Sequence, residues 1–258
     1  MAGTIDVEID PRGIARVRID HAAKLNTLNS ELMDSFVSSL NQLEEVPDLR
    51  AVVLTGAGER AFIGGADIDE MAGLSAATAR TFITRVHRCC EVIRDLPVPV
   101  IARINGWTLG AGLEVAAACD LRIAVESAQF GMPEVKLGIP SVVEAALLPG
   151  LVGWGRTREM LLLGETFGAK EALSWGLVER VVPPGELDQA IDTWITALLS
   201  AEPEAVALQK ALIRKWEDLP MKAAINAGID AFEAAWGTEA PGREMARFQR
   251  ERAERGKG

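Results

Sequence analysis

The chain is predicted to adopt an α/β fold followed by an all-helical C-terminal region. Two observations carry this expectation: short β-rich runs alternate with helical stretches through most of the chain, and beyond about Pro183 the strand signals stop while helical patterns continue. A third sets the scale. With 258 residues and 48% hydrophobic content, the chain can bury a large core, as one big domain or as a main domain with a small appendage.

Taken in order, Ile14–Ile19, Ala51–Thr55, Pro99–Ile104 and Leu121–Val125 are the β-rich runs and are expected as strands. Between them, Ser30 to Leu43 places Leu32, Met33, Phe36, Val37, Leu40 and Leu43 at helical spacing, and Ala77 to Ile93 repeats the pattern. The segment after Ile104 contains Gly106, Gly110 and Gly112 and opens an alanine-rich helix ending near Cys119. After Pro183, helices are expected over Glu186–Leu199, Glu202–Trp216, Met221–Trp236 and Gly242–Glu254. Their apolar faces include Leu208, Leu212, Ile225, Ile229 and Phe232, and the tail carries Arg243, Arg247, Arg250, Arg252 and Arg255. No linker, low-complexity tract or repeat separates the two parts.

Composition excludes several classes of function. A net charge of −10 opposes non-specific binding to nucleic acid or to anionic membranes, which need a basic face. Cys89, Cys90 and Cys119 are odd in number and lack a Cys-x-x-Cys spacing, so neither a disulfide framework nor a cysteine metal site is expected. No apolar run reaches the roughly 18 residues needed to cross a bilayer, and the N-terminus has no signal-peptide pattern. A cytoplasmic protein is expected. With only His21 and His87, and no partner set around either, a Ser-His-Asp triad or a histidine metal site is not expected.

What remains is carboxylates beside glycine-rich turns. In Ala61-Phe62-Ile63-Gly64-Gly65-Ala66-Asp67-Ile68, the Ala66 N–H can point outward as a donor, or the segment is a tight turn with Asp67 as helix N-cap. In Asn105-Gly106-Trp107-Thr108-Leu109-Gly110-Ala111-Gly112-Leu113-Glu114, glycines at a helix N-terminus leave free N–H groups and a positive dipole end, suited to an oxyanion. Glu114 is then either an exposed first-turn acid or, given its apolar neighbours, a buried functional one. Glu134 lies in a loop punctuated by Pro133 and Gly138, where most acids are merely solvated.

The order of these segments resembles the enoyl-CoA hydratase/isomerase (crotonase) superfamily. The likeness is carried by Ala61-Phe62-x-x-Gly65-Ala66-Asp67-Ile68-x-Glu70-Met71, Asn105-Gly106-x-x-Leu109-Gly110-x-Gly112-x-Glu114 and Phe130-Gly131-x-Pro133-Glu134-x-x-Leu137-Gly138. Lys24-Leu25-Asn26-Thr27-Leu28 resembles that family's adenine-pocket segment. The resemblance implies a crotonase-like spiral of ββα units over residues 1–195, with a helical region over 196–258 for trimerisation and active-site closure. A homotrimer or homohexamer is implied, with an acyl-CoA as the small-molecule substrate and no metal or redox cofactor.

By the same resemblance, the N–H groups of Ala66 and Ala111 form the oxyanion hole for the thioester oxygen, where each donor is worth roughly 3 to 4 kcal/mol. Glu114 activates water for attack at C3, and Glu134 delivers a proton to C2. Having both acids favours hydration of a trans-2-enoyl-CoA to a 3-hydroxyacyl-CoA over double-bond isomerisation, thioester hydrolysis or non-catalytic acyl-CoA binding as a scaffold. Lys24, Leu25, Gly65, Asp67, Ile68, Trp107, Gly110, Pro133 and Glu144 are the implied substrate-binding positions.

The chain departs from the family pattern at two places, the first of which adds an acid. Ser141-Val142-Val143-Glu144 stands where a glycine-rich segment is expected, adding bulk near the acyl pocket. Asp69 stands in place of a lysine expected to face the CoA phosphates, leaving Lys24, Arg250 and Arg252 as candidates. Glu144 is either a third acid/base or selector of a polar acyl chain, or an acid at a helix N-terminus favoured by the dipole.

Overall fold

The computed structural model describes residues 3–255, and the side chain of Arg255 lies outside the described set. The strands are β1 (Thr4–Ile9), β2 (Ile14–Asp20), β3 (Ala51–Gly56), β4 (Ala61–Ile63), β5 (Val100–Ile104), β6 (Trp107–Leu109), β7 (Leu121–Val125), β8 (Gln129–Gly131), β9 (Thr166–Gly168) and β10 (Arg180–Val182). The helices are α1 (Ser30–Glu44), α2 (Ile68–Met71), α3 (Ala76–Asp95), α4 (Ala111–Ala118), α5 (Leu148–Leu163), α6 (Ala169–Trp175), α7 (Leu187–Ser200), α8 (Pro203–Asp218), α9 (Met221–Trp236) and α10 (Ala240–Arg255).

Two sheets are built in parallel. A six-stranded sheet runs β1-β2-β3-β5-β7-β10, and a four-stranded one runs β4-β6-β8-β9. Each successive unit adds one strand to the large sheet, then a short strand to the small sheet, and then turns into a helix or 3-10 turn. The strand pairs β3/β4, β5/β6 and β7/β8 follow this ββα rule, and these neighbours are parallel in both sheets. Among the described residues, only the β1–β2 and β8–β9 pairs are antiparallel. This is the spiral that the resemblance implies.

Burial explains why the strands form where they do. β3 and β5 are mostly apolar, and Val52, Val53, Leu54, Val100 and Ile101 in them are almost inaccessible to solvent. α1 turns Leu32, Met33, Phe36, Leu40 and Leu43 inward at helical spacing and begins at Asn29, whose side chain accepts from the Leu32 N–H. α4 is different, because every residue in it is buried. Its C-terminal carbonyls are closed by the buried Arg122 guanidinium, which donates to Ala116 O (3.3 Å) and Cys119 O (2.6 Å) and is paired with Glu179 at 2.5 Å. That leaves the opposite end of α4 to face the site.

The chain divides into two compact units, residues 1–196 and 197–258, at a point within α7. The second unit contains the rest of α7 with α8, α9 and α10. Within it, Leu212 and Ala224 are buried and the Trp216 indole donates to Ala224 O at 2.8 Å, joining α8 to α9.

Candidate active site

The short strand β4 ends at Ile63 and leads into Gly64-Gly65-Ala66, while β6 ends at Leu109 and leads through Gly110 into α4. Because β4 and β6 are paired, the two turns lie side by side. A neighbouring loop supports the first. Asn26, fully buried in a left-handed conformation, accepts from the His21 N–H and donates to the carbonyls of Ala57 and Ala61. From that loop, Leu25 O accepts from Gly64 N, Leu28 N donates to Gly65 O, and Leu28 O accepts from Asp67 N. Among the described residues, no backbone carbonyl takes up the N–H of Ala66 or of Ala111.

Glycine is required at two positions here. Gly110 has φ +51, and a Cβ on it would come 2.3 Å from Glu134 Oε1. A Cβ on Gly112 would come 2.1 Å from Ile63 O, so a side chain there would push α4 off β4. These contacts bring the N-terminus of α4, the β4 turn and Glu134 to one place.

That place is a cavity of about 730 Å³ whose walls include Ala66, Ala111, Glu114 and Glu134. The rest of its wall is mostly apolar, with Ile68, Phe82, Val86, Leu137 and Val142 among the residues. Glu114 is 4% exposed, so it is not the solvated first-turn acid. Its carboxyl is pushed up to about 8, chiefly by burial and then by the charge of Glu134, with a smaller push from Glu144. The N–H groups of Ala145 and Val142 oppose that rise. Glu134 sits in a 3-10 turn, Pro133–Leu137, rather than an irregular loop, and its Oε2 accepts from Ser141 Oγ at 2.7 Å. Two carboxylates, one protonated near neutral pH, thus share a largely apolar chamber with two free backbone donors.

The remaining expected positions divide into two groups. Gly65, Ile68, Gly110 and Pro133 line the cavity. Lys24, Leu25, Asp67, Trp107 and Glu144 do not. Asp67 N-caps α2 by accepting from the Glu70 N–H, and its other oxygen takes the Lys24 ammonium at 3.0 Å. Lys24 also pairs with Asp69 at 2.8 Å, so two acids engage the ammonium expected to meet CoA phosphates. Trp107 is 37% exposed on β6 and does not line the cavity. Arg250 and Arg252 are exposed on α10, in the second unit.

Glu144 lies in the first turn of a short helix, as the second of its two readings expects. It is buried in a 3-10 turn, Val143–Leu147, and its Oε1 lies 2.7 Å from His87 Nδ1. His87 therefore has a carboxylate partner that its sequence context does not reveal, since the two lie 57 positions apart and on different elements. Sequence reasoning also passes over Ser141, which holds Glu134, and Arg80, a basic side chain on the cavity wall.

Comparison with known proteins decides the family. The family model described as enoyl-CoA hydratase/isomerase matches residues 10–254. The chain belongs to the enoyl-CoA hydratase/isomerase family. Within that family it is 36% identical to a short-chain-enoyl-CoA hydratase of Clostridium acetobutylicum over 88% of this chain and 87% of the other. It is 34% identical to a crotonyl-CoA hydratase of Syntrophomonas wolfei over 93% and 92% of the two chains. The solved enoyl-CoA hydratase of Bacillus anthracis superposes with a TM-score of 0.92 at 33% identity, covering 96% of each chain. The family's fold is the spiral described above.

Proposed function

We propose that this protein is an enoyl-CoA hydratase, a hydro-lyase that adds water across the double bond of a trans-2-enoyl-CoA to give a 3-hydroxyacyl-CoA. The observation that carries the assignment is the meeting of two carboxylates, Glu114 and Glu134, with the N–H groups of Ala66 and Ala111 in one cavity. Addition of water to a conjugated thioester needs a base for water, an acid for C2 and a sink for enolate charge, and this set supplies all three. The two donors bind the thioester oxygen, Glu114 takes a proton from the attacking water, and Glu134 gives one to C2.

The active form carries one proton between the two acids. Hydration passes the Glu134 proton to C2 and leaves a proton of the attacking water on Glu114, which is where burial already favours a proton in the free protein. Dehydration uses the same form in reverse, with Glu114 protonating the departing hydroxyl and Glu134 removing the C2 proton. These steps use protein groups and water alone, and we propose that no metal or redox cofactor takes part.

We further propose a homotrimer or homohexamer held by the helical C-terminal region. Met221, Ile225, Ile229, Phe232 and Trp236 recur along one stripe of α9 and are all at least half exposed, which supports an interface there. Three buried free cysteines fit a cytoplasmic location. Among the described residues, no helix is long and apolar enough to cross a membrane.

The direct test of the activity follows loss of the conjugated enoyl absorbance of crotonyl-CoA, with Glu114→Ala and Glu134→Ala alongside. Hydration by the wild type and its loss in both variants is expected, and undiminished hydration in both would refute the mechanism.

A further inference from the structure

One wall of the cavity is α3, and the helix changes character along it. Phe82 and Val86 are buried, Ala79 is half-buried and Ala76 is exposed, so the cavity opens toward the helix N-terminus. Glu114 belongs to the closed end, near enough to Cys90, one turn beyond Val86, for its charge to act on that thiol. At the open end stands Arg80, exposed, and among the described residues it is the one basic side chain on the cavity wall. Other cations nearby are engaged: Arg85 of the same helix by Asp34, and Lys24 by Asp67 and Asp69. No described residue pairs with the Arg80 guanidinium.

We infer that Arg80 selects acyl chains ending in a carboxylate, so that the substrate class is an ω-carboxy-2-enoyl-CoA. The inference rests on the hydratase reading. With the thioester oxygen at the Ala66 and Ala111 N–H groups, C3 has to meet Glu114, one turn further into α4. The acyl chain therefore runs from the hole toward the α3 wall, and the pantetheine arm leaves from the sulfur side of the thioester carbon.

Along α3, Arg80 lies about 9 Å from Val86 and about 15 Å from Cys90, at about 1.5 Å per residue. An extended chain at about 1.2 Å per bond, met by the reach of the arginine side chain, spans this with an acyl group of roughly eight to twelve carbons. The wall between the two ends is apolar, with Ala79, Phe82, Ile83 and Val86, and suits methylenes. An unpaired guanidinium at its end suits a carboxylate, which it meets with two parallel N–H donors. The CoA phosphates are the substrate's other anions, and they lie a pantetheine arm away on the sulfur side.

The test measures kcat/KM for pairs of 2-enoyl-CoAs of eight, ten and twelve carbons, one member ending in a methyl group and the other in a carboxylate. Crotonyl-CoA is the reference, and the full chain is compared with Arg80→Gln, which leaves the fold intact because Arg80 is exposed and unpaired. The ratio of carboxylate-ended to methyl-ended kcat/KM should fall about tenfold in the variant at the best-fitting length, the size of a partly screened hydrogen bond between charged groups. A ratio that changes by less than about threefold at every length would overturn the inference. In that case a loss shared equally by crotonyl-CoA assigns Arg80 to the CoA phosphates, and no loss at all leaves it a solvated cation. A wild type that hydrates none of these thioesters would instead bring down the hydratase reading, and the selection with it.

Discussion

Replacing Glu114 with glutamine is expected to abolish hydration and, at alkaline pH, to stabilise the fold. The carboxyl is raised from 4.5 to about 8 in the native state, chiefly because burial disfavours its charge. Between those two values the native protein holds a proton that the unfolded chain releases. The stability associated with Glu114 is therefore fully present below about pH 4.5 and is lost as pH rises through about 8. At about 1.4 kcal/mol for each unit of pKa, the loss approaches a ceiling of about 5 kcal/mol. Relaxation and water entry around an ionised Glu114 reduce it, so a difference of roughly 2 to 4 kcal/mol is expected. Glutamine has no proton to lose, and its amide adds only a pH-independent offset.

The measurement is urea unfolding of wild type and Glu114→Gln at pH 5, 7 and 9, at one protein concentration so that any assembly contributes equally. The stability of the variant relative to wild type should grow from pH 5 to pH 9 and level off above about 8. Two curves that run parallel across this range would refute the assignment of Glu114 as a buried, proton-holding acid, whatever happens to activity.

Three further outcomes are expected. The proposed mechanism needs one proton on the pair of acids, so kcat/KM for hydration and for dehydration should fall together above about pH 8, where Glu114 ionises, and a profile that falls in one direction alone would contradict that requirement. Ser141→Ala removes the hydroxyl that donates to Glu134 Oε2 and should lower kcat about tenfold, as befits a hydrogen bond to a charged group, with thermal unfolding unchanged. Arg80→Ala removes an exposed cation from the cavity wall and should raise KM for acyl-CoA by up to about fivefold, an effect that weakens with added salt.

The large sheet was legible because β3, β5 and β7 are short, mostly apolar and β-branched runs, interrupted only by Thr55, Arg103 and Arg122. β1 was not, since Thr4–Ile9 is an edge strand that buries none of its residues. The strands of the small sheet were hidden for a different reason. β4, β6, β8 and β9 have three residues each, too few for a period to show, and only pairing with one another makes them strands. α5 is masked by Pro149, Gly150, Gly153 and Gly155, and the chain does kink at Gly153, where φ is +73. In the site, glycine turns and neighbouring acids could be picked out residue by residue. Their convergence could not, because Gly110 meets Glu134 and His87 meets Glu144 only through tertiary packing.

The segment Ser141-Val142-Val143-Glu144 shows why added bulk need not mean a smaller role in the site. Val143 has φ +40, a region that β-branched residues avoid and that costs on the order of 1 to 2 kcal/mol. Such a conformation persists only where the surroundings over-determine it. Here Ser141 holds Glu134, the N–H groups of Val142 and Ala145 face Glu114, and Glu144 reaches His87. A regular turn would move at least one of these groups off its partner. The strain at Val143 is thus tied to the acids on either side of it, and the segment works as a brace joining Glu114, Glu134 and the His87 surface rather than as a spacer beside the acyl pocket.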